Sequence, residues 1–272
     1  MRRVRCYMCN RPSTSKEHVP PRCLFPELKD VGENHRRNLI TVPSCDWHNS
    51  FKSTDDSFLM VSLAGIFGNN STGLRHKFSK VNRAIYRSSF AMLKEAVRDG
   101  KWHFLEVGPN QYVDVIWGKP DHERLNRCFD RIARGLYYAR HERRFEGLTR
   151  THLGYLTPGS SNASSFQRFL RDKVKPELDG KERLGDNPEV FSFQFTEPDQ
   201  FGIFGVDMRF YGGLDVFVAM IPKGKRLPDN LAMMLIDKGI PTTITLGDKE
   251  YDFNFDNAKQ LKDSLRESTG EI

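Results

Sequence analysis

The sequence predicts an α+β chain in three stretches: a loop-rich N-terminal segment, a basic helical middle, and a C-terminal antiparallel sheet closed by a helix. Three observations predict it. Two short pairs of Cys and His, Cys6-x2-Cys9 and Cys45-x2-His48, flank a segment broken by Pro20, Pro21, Pro26 and Pro43. Apolar residues recur at the helical period over 74–99 and again over 121–144. Beyond Glu189 apolar and polar residues alternate. The boundaries drawn from these patterns are 1–56, 57–155 and 156–272.

In chain order, Leu39-Ile40-Thr41-Val42 reads as a short strand ended by Pro43, and a helix is expected from Asp46 to Lys52. A second, apolar helix covers 55–68, and Gly68-Asn69-Asn70-Ser71-Thr72-Gly73 is a loop. Over 74–99, Phe78, Val81, Ile85, Met92 and Ala96 share one arc of a helix, and Lys80, Arg83, Arg87, Lys94 and Arg98 share the opposite arc. Asp99-Gly100 ends it. Strands are expected at Trp102–Leu105 and Tyr112–Trp117, joined at Gly108-Pro109-Asn110. The helix over 121–144 takes Asp121 as N-cap and buries Leu125, Cys128, Phe129, Ile132, Leu136 and Ala139. Arg124, Arg127, Arg131 and Arg134 line another of its faces. Composition shifts to Thr, Pro, Gly, Ser and Asn near 156–165, as in a linker. A short helix follows at 165–174. Glu189–Phe195, Phe201–Phe210 and Leu214–Ile221 read as strands, with Gly212-Gly213 as a turn, and 257–267 as the closing helix.

The totals narrow the function. The chain has 272 residues and a net charge of +7. Residues 1–56 hold 10 Lys/Arg against 7 Asp/Glu, residues 57–150 hold 17 against 9, and residues 151–272 hold 15 against 19. A polyanion is drawn to the first 150 residues, although a solvated basic helix surface has the same composition. The longest apolar stretch, Phe58 to Phe67, is half a membrane span, and no apolar signal region follows the basic N-terminus. Five cysteines, an odd count, suit a reducing, cytoplasmic setting better than a disulfide framework. The Gly-x-x-Gly at Gly202 and Gly205 lies in strand-like sequence and is not a phosphate-binding loop.

Cys6, Cys9, Cys45 and His48 have the spacing of a structural zinc site. Two thiolates two residues apart reach one tetrahedral ion from a tight turn, and a second pair closes the shell. In so loop-rich a segment the ion replaces a missing core. Between the pairs lies Glu17-His18, and directly after them Asn49. Phosphodiester hydrolysis needs an activated water and a stabiliser for the phosphoryl oxygens. A neutral imidazole, His18, suits the first. Oxygen ligands from Glu17 and Asn49 suit a hard cation such as Mg2+ or Mn2+ for the second.

These phrases resemble the HNH endonuclease family, whose module is a ββα-metal fold. The family pattern is CxxC, an acidic residue and His, Asn-Leu before a short strand, then CxxC followed by His or Asn and a Lys. Here it stands as Cys6-Tyr7-Met8-Cys9, Glu17-His18, Asn38-Leu39, Cys45-Asp46-Trp47-His48, Asn49 and Lys52. The resemblance covers about residues 6–56, with His48 in place of a fourth cysteine and Glu17 in place of the more frequent Asp. It implies an N-terminal HNH nuclease module stabilised by zinc, with His18 as general base, Glu17 and Asn49 on the catalytic metal, Asn38 bracing the loop that bears the base, and Lys52 near the backbone phosphate. The expected partner is DNA, with no membrane. Lys80, Arg83, Arg87, Arg124, Arg127, Arg131 and Arg134 are the expected further contacts to nucleic acid. The alternatives are a zinc-stabilised nucleic-acid binder that does not cut, and the same chemistry on RNA.

Overall fold

The computed structural model describes residues 4–50, 52–156, 161–225, 242–246 and 249–253. Its mixture of helices and antiparallel sheets is the expected α+β class.

Strand β1 (Ser15–His18) pairs antiparallel with β2 (Thr41–Ser44), placing Glu17 opposite Val42 and His18 opposite Thr41. The strand expected at 39–42 thus starts later and runs through Pro43. A proline is tolerated here because a two-stranded ladder has only edge strands. The Pro43 carbonyl instead accepts the Tyr7 amide at 2.9 Å, which pins the Cys6–Cys9 turn to the outer edge of β2. Helices α1 (Leu28–Val31), α2 (Asp46–Ser50) and α3 (Lys52–Ala64) complete this region, with a 3-10 turn at Arg22–Leu24.

The single helix expected over 74–99 is broken three ways. Asn70 caps α4 (Ser71–His76), accepting from the Gly73 amide at 2.9 Å. A π-helical turn (Lys77–Val81) then leads into α5 (Asn82–Arg87). A π turn takes one extra residue, so the face before it rotates by about 100° relative to the face after it. That is why Phe78, placed on the apolar arc by simple periodicity, is 71% exposed while Val81, Ile85 and Ala96 are buried. Ser89 and Phe90 adopt left-handed backbone and break the chain again before α6 (Ala91–Ala96). From Val97 the chain is already extended. Strands β3 (Val97–Gly108) and β4 (Gln111–Pro120) form the expected hairpin, longer than read, with Asn110 at φ 57° in its turn.

Helix α7 (His122–His141) is capped by Asp121 as expected, its carboxylate accepting the Arg124 amide at 3.0 Å. Leu125, Cys128, Phe129, Ile132 and Leu136 are buried, but Ala139 is exposed, and Ala133, Gly135 and Tyr137 are buried instead. The buried arc is wide because α7 has two neighbours. One is a five-stranded antiparallel sheet of order β5-β9-β8-β7-β6, built from β5 (Gly147–Leu153), β6 (Leu184–Asn187), β7 (Phe191–Phe195), β8 (Phe204–Phe210) and β9 (Leu214–Pro222). Phe129 meets Phe210 at 5.7 Å and Tyr137 stacks on Phe204 at 5.8 Å. The other neighbour is the N-terminal region: a Cβ on Gly135 would lie 2.6 Å from a Val19 methyl, so only glycine lets α7 approach so closely. β5 and β6 were not expected, since their residues alternate poorly. Helix α8 (Ser161–Leu178) is longer than read, and β10 (Thr242–Leu246) pairs with β11 (Lys249–Phe253). The closing helix expected at 257–267 lies outside the described residues. Among the described residues no helix is long and apolar enough to cross a membrane.

Candidate metal centre and active site

Two local structures bring the four expected zinc ligands together. The Cys6–Cys9 turn is closed by the Cys6 amide donating to the Arg11 carbonyl at 3.0 Å, and the Met8 amide points at Cys6 Sγ, 3.4 Å away. On the other side, Cys45 precedes α2 and His48 follows within its first turn, so both side chains leave the same end of the helix. Cys9 Sγ lies 3.8 Å from Cys45 Sγ, and His48 Nδ1 lies 3.3 Å from Cys45 Sγ and 3.5 Å from Cys6 Sγ. All four ligand atoms fall within 4.8 Å of one another. A tetrahedral Cys3His site with metal–sulfur bonds of about 2.3 Å and a metal–nitrogen bond of about 2.0 Å has edges of roughly 3.8 Å and 3.5 Å. The cluster therefore fits one tetrahedral ion, and all of its cysteines are free thiols.

The surroundings act differently on the separate ligands. Burial pushes the Cys6 thiol up, which disfavours a lone thiolate. Burial acts likewise on Cys45, but the His48 backbone amide and the neighbouring thiols outweigh it, and its pKa falls below the usual thiol value. Burial, then the Arg131 charge, lowers His48, so its ring is neutral and able to ligate.

The expected catalytic residues are placed less uniformly. Glu17 is buried, and its Oε1 accepts the Tyr7 hydroxyl at 2.8 Å. Burial and the Glu17 charge push the Tyr7 pKa well up, which keeps that hydroxyl a donor. Glu17 lines a small internal cleft with Asp55, Cys128, Arg131 and Ile132. His18, the last residue of β1, is half-buried and projects from the opposite face of the strand, as the period of two requires. Its neighbour Val19 is fixed by an amide bond to the Ile40 carbonyl at 2.9 Å. Asn38 is exposed with left-handed backbone, φ 50°, where the loop turns toward β2. Asn49 is exposed and donates to Ser15 Oγ at 3.0 Å. Glu17 and Asn49 offer oxygens of the kind Mg2+ or Mn2+ takes. The carboxylate is engaged with Tyr7 inside, and the amide with Ser15 at the surface. Among the described residues the only other cluster of His, Cys, Asp or Glu ligand atoms, Glu33, His35 and Glu189, contains none of the expected catalytic residues.

The basic stripes divide: Lys80, Arg124, Arg131 and Arg134 are half-buried among protein partners, and the others are exposed. Arg124 binds Asp55 at 2.8 Å, Glu95 at 3.0 Å and the Thr54 carbonyl at 3.0 Å. Arg131 binds the other Asp55 oxygen at 2.8 Å. Arg134 binds Asp130 and the Phe145 and Gly147 carbonyls. Lys80 pairs with Glu27 at 3.6 Å, and Arg83 forks onto both Asp30 oxygens at 2.8 and 2.9 Å. Arg83, Arg87 and Arg127 stay at the surface, Arg127 beside Glu123. The Lys52 side chain lies outside the described residues. The residues that sequence reasoning missed are Tyr7, which holds Glu17, and Asp55, which joins α3 to α7. The signal for Asp55 was present: Arg124 and Arg131, seven apart, share a face of α7 beside its apolar stripe, where long cations need a carboxylate partner. No family model, curated protein or solved structure matches the chain.

Proposed function

We propose that residues 6–56 are a zinc-stabilised HNH-type nuclease site that hydrolyses DNA phosphodiester bonds, with His18 as general base. The observation that carries this reading is the way one metal cluster organises both catalytic segments. β1 ends on His18, β2 leads directly into Cys45, and α2 sets Asn49 one residue beyond the ligand His48. Zinc suits three thiolates and an imidazole at tetrahedral spacing with no open place for water, which makes its role structural.

His18 is held from behind. Val19 packs against Gly135 of α7 and hydrogen-bonds Ile40, so the backbone carrying the imidazole is fixed from two sides. In the neutral form the ring takes a proton from water. The water oxygen then bonds to phosphorus, and the ester oxygen leaves with the electron pair of the broken bond. The inward pairing of Arg124, Arg131 and Arg134 removes these three cations from the expected nucleic-acid contacts of the nuclease and of the non-cutting binder alike.

The test is plasmid nicking with Mg2+ or Mn2+ present, wild type beside His18→Ala, with RNA digested in parallel. The expected result is cutting of DNA by the wild type and a fall of at least about 100-fold in the variant. Equal rates in both proteins overturn the assignment of the base, and cutting of RNA alone overturns the substrate.

A further inference from the structure

The five-stranded sheet has a second face, and it is polar. Strand register sets Gln194, Asp207, Phe217 and His152 in one row across β7, β8, β9 and β5. Ser192, Arg209 and Asp215 form the next row. A polar sheet face ordinarily looks into water. Here Ser192 and Gln194 are buried, because α8 and the segment after it lie over them.

The floor is fixed by its own bonds. Arg183 donates to Ser192 Oγ at 2.9 Å, Gln194 Oε1 at 2.8 Å and Asp207 Oδ2 at 2.7 Å. Arg209 forks onto Asp215 at 2.7 and 3.3 Å, and Gln194 donates to the Lys181 carbonyl at 2.7 Å. Phe217 lies flat across Gly205, where a Cβ would sit 2.1 Å from the ring. Between this floor and α8 is a cleft of about 490 Å3, within the range that small-molecule sites occupy.

Charge selects the ligand class. Arg183 and Arg209 are balanced by Asp207 and Asp215. Around the rim, Arg171, Lys175 and Lys181 stand against Asp179 alone, and none of these three cations forms an ion pair among the described residues. A cleft with a surplus of cations at its rim and a fixed aromatic ring on its floor suits a small anion that carries a planar ring. We propose that it binds a mononucleotide, with the phosphate toward Arg171, Lys175 and Lys181 and the base over Phe217.

The test is calorimetric titration of the full chain with AMP, and separately with inorganic phosphate. Wild type should take up AMP saturably at one site and bind phosphate more weakly. Lys175→Glu and Arg171→Gln, both at exposed positions on α8, should each weaken AMP by at least about tenfold. Phe217→Leu keeps an apolar side chain and should weaken AMP without changing phosphate. Thermal melts establish that each variant is folded. Failure of AMP to saturate at millimolar concentration overturns the proposal. So does equal affinity for AMP and phosphate, or AMP binding unchanged in all three variants. No cleavage enters the readout, so the result is independent of the nuclease reading.

Discussion

His48 Nδ1 faces two thiols at 3.3 and 3.5 Å, whereas Asn49, the next residue, turns its amide to Ser15. Neighbours on one helix turn therefore serve different ends. Structural zinc contributes about 10–16 kcal/mol in small zinc-built domains, so losing one ligand in a segment with little core of its own should unfold it. His48→Ala should lose the bound metal and expose its thiols to labelling, while Asn49→Ala should keep both metal and fold. Metal analysis alongside thiol labelling separates them, and metal retained by His48→Ala would show that the ligand was misassigned. His76 makes a different kind of claim. It is fully buried, its Nε2 lies 3.1 Å from the Cys23 carbonyl, and burial pushes its pKa down to about 4, with Lys80 and Arg36 lowering it further against Asp30. Above pH 6.5 the ring is neutral in both folded and unfolded chains and contributes nothing to the pH dependence. As pH falls from 6.5 toward about 4, the unfolded chain takes up the proton and the native one does not, so stability falls. The loss is of order 3 kcal/mol. His76→Gln should flatten that part of the stability–pH curve in chemical denaturation, and a curve parallel to wild type would refute it.

Helices α3 and α7 share one carboxylate between two arginines. Asp55 is 8% exposed and accepts from both Arg124 and Arg131. Removing the shared member leaves two half-buried guanidinium groups short of a partner, an effect of about 3–5 kcal/mol. Asp55→Ala should therefore lower the denaturation midpoint much more than Arg131→Ala, because Arg131→Ala leaves Asp55 paired with Arg124. Equal losses would mean that the clamp is not a shared one. This element also shows what the sequence reading could reach. α7 was legible because a capped amphipathic helix announces itself through local period and local chemistry. So was the metal cluster, because each half is a three- or four-residue spacing. The destination of the arginines was not legible, since a basic stripe reads alike whether it meets phosphate or a buried aspartate. The break over 77–90 was hidden for a related reason: a π turn changes phase without changing composition. Phe78 marks the error, an aromatic residue on the computed arc that the folded helix turns outward.

At the scale of the whole molecule, the N-terminal region is not closed on itself. A boundary at residue 56 follows composition, but the contacts that hold residues 6–56 come from far along the chain. Tyr211, fully buried in the β8–β9 turn, donates its hydroxyl to the Leu24 carbonyl at 2.7 Å, and its own carbonyl accepts the Asn70 amide at 2.8 Å. Asn187 donates to the Arg37 carbonyl at 2.9 Å, and α7 backs Val19. No local pattern encodes such pairings. They make the sheet a supporting wall for the segment that carries His18. A fragment of residues 1–56 should still bind one zinc ion, because the four ligands and both turns lie within it. It should lack the fixed tertiary structure of the full chain, because Leu24, Val19 and Arg37 have lost their partners. Amide hydrogen exchange on the zinc-loaded fragment should show protection near Cys6–Cys9 and Cys45–His48 and none at Val19. In the full chain, Tyr211→Phe removes one buried hydrogen bond and should weaken folding by about 1 kcal/mol. Tyr211→Ala leaves a cavity as well and should weaken it by about 3–5 kcal/mol, with faster exchange at Val19 and Leu24 although both lie far away in sequence. Protection at Val19 in the isolated fragment equal to that in the full chain would show that the N-terminal region folds by itself, and that the sheet supports nothing beyond its own core.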